Sequence, residues 1–210
     1  MSTLMQEVAA KALKLGVPLS VQLDLTYRCN ERCVHCYLDH EDHGEMTTAE
    51  IKDLLEQSAS AGAFILSLSG GEILLRKDFF EILEYAPGLT FCVKLKTNAI
   101  LIREHEAERI RSVGVESVQV SIYSHRPEIH DSITKIPGSL KRSVEAIRFL
   151  KTHGLKVIIA NVLMQQNIRT TPVLGRLQGN LASSSHWIPP SRRKWTAIGQ
   201  SWDWESPPAN

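Results

Sequence analysis

Residues 27–37 read YRCNERCVHCY and follow directly on LSVQLDLT at residues 19–26. The preceding run alternates apolar and polar residues, the signature of a strand with one buried face. Cys29, Cys33 and Cys36 therefore leave the C-terminal end of a first strand. Their number is odd, so they do not close a disulfide framework. Structural zinc sites gather four ligands, usually as two separated pairs.

Outward from that loop, strand and helix patterns alternate. FILSLSGGE (64–72) is a second strand running into a glycine turn, and TFCVKLKTN (90–98), VESVQVSIYS (115–124) and LKVIIANVLM (155–164) are the third to fifth. Between them, residues 46–63 carry an apolar stripe at Ile51, Leu54 and Leu55, a cap at Thr47 or Thr48, and Glu50 or Asp53 in the first turn. Residues 77–87 form a short helix that Pro87 stops, residues 103–114 a helix closed by Gly114, and residues 138–154 a helix capped by Ser139 and ended by Gly154. Connections this short imply right-handed βαβ units and a parallel sheet. In parallel barrels the chemistry sits at the C-terminal ends of the strands. The cysteines, SGGE (69–72), TNA (97–99) and SIYS (121–124) all fall there.

The chain has 210 residues, 43% hydrophobic and 22% charged, with a formal net charge of +1. That balance leaves no electrostatic footprint for nucleic acid or an anionic membrane. Without a basic, apolar leader or an apolar run of about 18 residues, a cytoplasmic protein is expected. Crowded cysteines in such a chain point to metal or redox chemistry. A zinc site built from the three cysteines and His35 requires adjacent residues 35 and 36 to turn onto one ion. A redox pair of Cys33 and Cys36 leaves Cys29 unexplained. Three thiolates on one loop suit three corners of an iron–sulfur cube, leaving the fourth iron without a protein ligand.

The Cx3Cx2C loop with the aromatic Tyr37 after it resembles the signature of the radical S-adenosylmethionine (SAM) enzymes. The resemblance runs from about residue 19 to 169, because further motifs arrive in order. Ser69, Gly70, Gly71 and Glu72 look like the second-strand motif that binds the methionyl amino group, and residues 97–99 stand where many members have a TNG-like element. Residues 118–147 are similar to the subgroup of SPASM-type peptide-maturing enzymes, which includes pyrroloquinoline quinone peptide cyclases and mycofactocin maturases. The resemblance implies a partial (β/α)6 TIM-type barrel. It also implies a 4Fe-4S cluster on Cys29, Cys33 and Cys36 with SAM on the open iron. Reduced flavodoxin or ferredoxin would supply an electron, and a 5'-deoxyadenosyl radical would abstract hydrogen from a peptide or cofactor-precursor substrate. Gly70 and Gly71 would let backbone approach the methionine moiety, Glu72 would meet its ammonium, and Tyr37 would lie beside the adenine. Ser121 would hydrogen-bond the ribose or carboxylate, and Asn98 and Asn161 would give polar contacts in the barrel. The other class is a non-catalytic iron–sulfur or zinc-binding fragment. Cys92 is expected as a buried strand residue, and His40, His43, His125 and His130 as surface or loop residues.

The expected organisation is a helical segment at 1–18, the core at 19–169, and an irregular tail at 170–210, so that the barrel stops after about five βα units. All four tryptophans and five of the nine prolines lie in that tail, without a sustained period. No cysteine follows Cys92, so the cysteine-rich extension of the resembled subgroup is missing. A frameshift after Arg169 accounts for both. One base back, the codons for Arg169, Thr170, Thr171 and Pro172 permit NIRDYP, and those for residues 187–195 permit DPTITPKMD. Both strings resemble continuations of the peptide-maturing subgroup. Loss of the last βα unit would open the barrel edge.

Overall fold

A computed structural model describes residues 4–171 and 184–188. The order is α1 (Leu4–Leu15), β1 (Ser20–Asp24), α2 (Thr48–Ser60), β2 (Ile65–Ser69), α3 (Phe79–Tyr85), β3 (Cys92–Thr97), α4 (Glu104–Ser112), β4 (Ser117–Ser121), α5 (Pro127–Thr134), α6 (Ser139–Thr152), β5 (Val157–Val162) and β6 (Ser184–Ile188). The strands form one parallel sheet in the order β1-β2-β3-β4-β5-β6. This is the expected α/β architecture, a partial barrel in which each loop leaving a strand emerges at the same end.

Alternation along the strands separates two faces. Leu66, Leu68, Val93, Leu95, Val118, Val120, Val157 and Ile159 are buried in one apolar cluster with Ile51, Leu55, Ile82, Leu83, Ile110, Ile147 and Leu150 of the helices. The alternate positions carry Gln22, Ser67, Lys94, Lys96 and Gln119, so the second face is polar. Cys92 lies on that face and is half-buried, a correction to its expected place in the core. At α2, Thr47 is the cap, and it forms a reciprocal capping box with Glu50.

Two expectations change in the second half. The cap of α6 is Gly138 in a left-handed conformation, and Ser139 is the helix's first residue. The residues between β4 and α6, assigned no element from sequence, contain α5. The irregular tail is corrected in part as well. Thr170 is buried and its hydroxyl accepts from Ser124 Oγ at 3.0 Å, which ties the segment after β5 back to the end of β4. Residues 184–188 pair in parallel with β5, from Ile158↔Ser184 to Val162↔Ile188. An open β5 edge offers a row of backbone groups that nearly any extended segment can satisfy, which explains a strand where SSHWI has little pattern of its own. The rest of the tail, with the other three tryptophans, lies outside the described residues. Among the described residues no helix is long and apolar enough to cross a membrane.

Candidate active site

The loop after β1 is zipped to the glycine turn after β2. Leu25 N–H donates to Ser69 O at 2.9 Å, Gly71 N–H to Thr26 O at 2.7 Å, and Glu72 N–H to Arg28 O at 2.9 Å. The contact is so close that only glycine fits. A Cβ on Gly70 would fall 2.3 Å from Thr26 O, and one on Gly71 would fall 2.2 Å from Arg28 O. Gly70 also has φ +128°, a conformation that side chains rarely allow. The close approach these glycines permit is thus to the cysteine loop's own backbone.

Glu72 is wholly buried, at 0% exposure. Its carboxylate accepts from Leu74 N–H at 3.1 Å, Asn98 N–H at 2.9 Å, and the Thr97 hydroxyl at 2.7 and 2.8 Å. The carboxylate expected to meet a ligand's ammonium is engaged inside the protein, where it joins the glycine turn to the end of β3. Burial raises its pKa, and those hydrogen bonds oppose the shift.

Asn98 extends the link to the cysteines. Its side-chain amide donates to Asn30 Oδ1 at 2.6 Å and lies 3.8 Å from Cys29 Sγ. Cys29 Sγ also accepts from Glu31 N–H at 3.4 Å, while Cys33 Sγ donates to Glu31 Oε2 at 3.2 Å. Burial pushes the Cys29 thiol up to about 11 and the Glu31 carboxyl up to about 7. Burial first, and then the Glu31 carboxylate, raise Cys33 as well. Cys29 and Cys33 are therefore thiols until a metal displaces their protons.

Tyr123, which sequence reasoning did not single out, stands behind the loop. It is 6% exposed, its ring is 4.7 Å edge-on from His35, and it stacks on His130 at 5.5 Å. Its hydroxyl interacts with both Ser121 and Cys33. His130, expected at the surface, is fully buried: its Nδ1 accepts from Tyr123 N–H at 3.1 Å, and burial lowers its pKa to about 4. Asn161 donates to Ile122 O at 2.9 Å, in the backbone that continues β4. Tyr37 is 78% exposed and its hydroxyl reaches Asp24 Oδ2 at 3.3 Å. With Val34 and Tyr27 it gives the loop an exposed apolar rim.

Arg76 is the other residue the sequence hid. It is 7% exposed and donates to Leu25 O at 3.0 Å and Met46 O at 3.1 Å, at the two ends of the cysteine loop. A two-point contact to Asp78 at 2.6 and 3.0 Å holds its guanidinium in place, and Glu45 pairs with both Arg76 and Arg28.

The profile of the Radical SAM superfamily matches residues 23–171, more than half of the chain. The chain belongs to that superfamily. An AdoMet-dependent heme synthase of Methanosarcina barkeri is 35% identical over 156 residues, which cover 73% of this chain and 45% of that protein. Mycofactocin maturase MftC of Mycobacterium tuberculosis is 32% identical over 157 residues, 73% of this chain and 40% of that protein. The chain thus spans less than half the length of these curated relatives. In fold it is similar to SuiB of Streptococcus suis bound to S-adenosylmethionine, with TM-score 0.76 and 20% identity over 94% of this chain and 47% of that one. It is also similar to anSMEcpe with bound AdoMet, with TM-score 0.69 and 20% identity over 82% of this chain and 51% of that one.

The cofactors of this superfamily are a 4Fe-4S cluster and SAM, and the residues present fit them. The donor set is three half-buried thiols on one loop, next to an open rim. Among the described residues no group of three or more His, Cys, Asp or Glu side chains is already arranged to hold a single metal ion. A cube instead spreads its irons over separate corners, so its ligands need not meet at one point. His35, the fourth ligand of the zinc reading, packs its ring against Tyr123.

Proposed function

We propose that this chain is the core of a radical SAM enzyme whose cluster ligands are Cys29, Cys33 and Cys36. The cluster, when bound, supplies the electron that cleaves the SAM sulfonium to methionine and a 5'-deoxyadenosyl radical, which takes a hydrogen atom from substrate. The chain's part is to bind, orient and exclude water. Asn98 and the Glu31 amide orient Cys29, and the exposed rim of Tyr27, Val34 and Tyr37 receives the nucleoside, with Tyr37 beside the adenine. Ser121 would hydrogen-bond the ribose or carboxylate of SAM, and Asn161 holds the adjoining backbone in place. Glu72 acts from beneath, fixing the glycine turn against β3. The electron donor is a reduced flavodoxin or ferredoxin in the cytoplasm. The substrate is a peptide or a cofactor precursor, a reading supported by likeness to proteins named mycofactocin maturase and heme synthase.

The observation that carries this reading is the attachment of the three-cysteine loop to both the glycine turn and Asn98. Anaerobic reconstitution with iron and sulfide is expected to give broad thiolate-to-iron absorbance. Dithionite and SAM should then yield 5'-deoxyadenosine, and the product should vanish in Cys29→Ala, Cys33→Ala or Cys36→Ala. Because the chain spans less than half of its relatives, a second reading is an iron–sulfur protein without turnover. It predicts full iron loading with no 5'-deoxyadenosine. Stoichiometric zinc without iron or sulfide would sink both.

A further inference from the structure

The residues on either side of Cys33 are held from outside the loop. Arg32 N–H donates to Thr134 O at 3.0 Å and Val34 N–H to Ile133 O at 2.9 Å. Both carbonyls belong to the last turn of α5, where helical acceptors have no partner within the helix. Cys33 is therefore placed by the end of a helix about 100 residues further along the chain.

That helix end must itself be fixed. After Thr134 the chain passes through Lys135, with φ +64°, and turns into α6. Asp131 closes the turn. Its Oδ2 accepts from Gly138 N–H at 2.6 Å, and its Oδ1 accepts from Leu140 N–H at 3.1 Å and the Ser139 hydroxyl at 2.9 Å. The Ser139 hydroxyl also meets Thr134 Oγ1 at 2.8 Å. One turn along α6, the Ser143 hydroxyl donates to Asn98 O at 2.8 Å, so the same helix also braces the residue beside Cys29.

We propose that Asp131 is a positioning residue for Cys33: its carboxylate locks the α5–α6 turn and so sets the two carbonyls from which the Cys33 segment hangs. The proposal rests on the reading of Cys33 as a cluster ligand, but the lock exists without the cluster. A carboxylate offers acceptor oxygens to all three donors, whereas an amide offers one oxygen and turns N–H groups toward the remaining N–H.

The test is Asp131→Asn in the full chain, read first in the metal-free protein. Hydrogen exchange at the Arg32 and Val34 amides should accelerate by roughly 10- to 100-fold, the range expected for losing charge-assisted hydrogen bonds. Amides of β1 to β5 should keep their protection. On anaerobic reconstitution, iron and sulfide bound per chain should fall, and the electron paramagnetic resonance signal of the reduced cluster should broaden. Ser139→Ala, which leaves both amide bonds of Asp131 intact, should show the same changes more weakly and covers the case in which Asp131→Asn does not fold. Glu128→Gln, on the exposed side of α5, should change nothing. The proposal is overturned if Asp131→Asn exchanges and loads like the parent. Protection lost evenly across the sheet would overturn it too, since the role would then be general stability. If the parent takes up no iron while Asp131→Asn still frees amides 32 and 34 selectively, the lock stands and the radical SAM reading falls.

Discussion

On its β2 side the cysteine loop is held by backbone lying against backbone, with no room for one more carbon at Gly70 or Gly71. On its α5 side it hangs from a helix end that side chains keep in position. The first attachment is rigid and all-or-none, because displaced backbone breaks several hydrogen bonds at once. The second is graded, since each side chain contributes separately. The two cysteines they serve, Cys29 and Cys33, should therefore respond differently to mutation.

The rigid side gives the largest expected effect. Gly71→Ala places a methyl against Arg28 O and should cost about 3 kcal/mol or more. Thermal unfolding should drop by roughly 10 °C for a domain of this size. Gly88→Ala is the matched control: a Cβ there meets nothing within 4 Å, so its melting temperature should barely move. Equal effects at the two glycines would remove the backbone-contact explanation.

Arg76→Met comes next. It leaves Asp78 partly buried without its cation, leaves Glu45 with Arg28 alone, and takes the Arg76 donor from Leu25 O and Met46 O. A loss of about 2 to 3 kcal/mol in urea unfolding is expected. Proteolysis should shift to cleavage within residues 25–46, because both ends of the loop are released.

The graded side carries a pH dependence through His130. Its folded pKa of about 4 lies below the unfolded value, so the folded state refuses a proton that the unfolded state accepts. The stability it contributes is complete above the unfolded value and drains away as pH falls toward 4. Between pH 7 and 5 this amounts to about 2 kcal/mol. The facing groups are Tyr123, which stacks on the ring, and Asp131, whose charge opposes the shift. His130→Asn keeps an acceptor for Tyr123 N–H but cannot titrate, so its unfolding free energy should be flatter over that interval. An unchanged slope would assign the acid sensitivity elsewhere.

The smallest stability effect is expected from Tyr123→Phe, about 1 kcal/mol or less, because the ring stays and only the hydroxyl leaves. On the proposed ligation of the cluster by Cys33, the midpoint potential of the reconstituted protein should become more negative, since a hydroxyl that interacts with a ligand sulfur stabilises the reduced state. An unmoved potential would separate Tyr123 from Cys33 in the loaded protein.

How much of this was legible in the sequence differs between the two sides. The glycine turn announces itself, because SGGE follows a strand and glycine alone fits such a contact. Strands β1 to β5 were legible from alternation and from the glycines that end the helices between them. Helix α5 was not. Residues 127–134 offer only Ile129 and Ile133 as an apolar stripe, and a helix that short is stabilised by what it packs on. Tyr123 reads as the end of the fourth strand and His130 as a surface or loop residue until the fold stacks them behind His35. Of Arg76's partners only Asp78 is near it in the chain; the others, at residues 25, 45 and 46, are distant, so no local pattern marks it.

The sequence by itself determined which chemistry is available: three thiols on one short loop, placed by strand alternation at the catalytic end of a parallel sheet. Local spacing fixes those facts, because a strand's period and a loop's ligand count depend on neighbours in the chain. Tertiary structure alone decided which groups face one another. It turned Glu72 inward toward Thr97 and Asn98, gave β5 a partner in the tail, and suspended Cys33 from a helix. Each of these depends on contacts between residues distant in sequence, whose energies are set by burial and by the pairing of buried polar groups, and a linear pattern records neither.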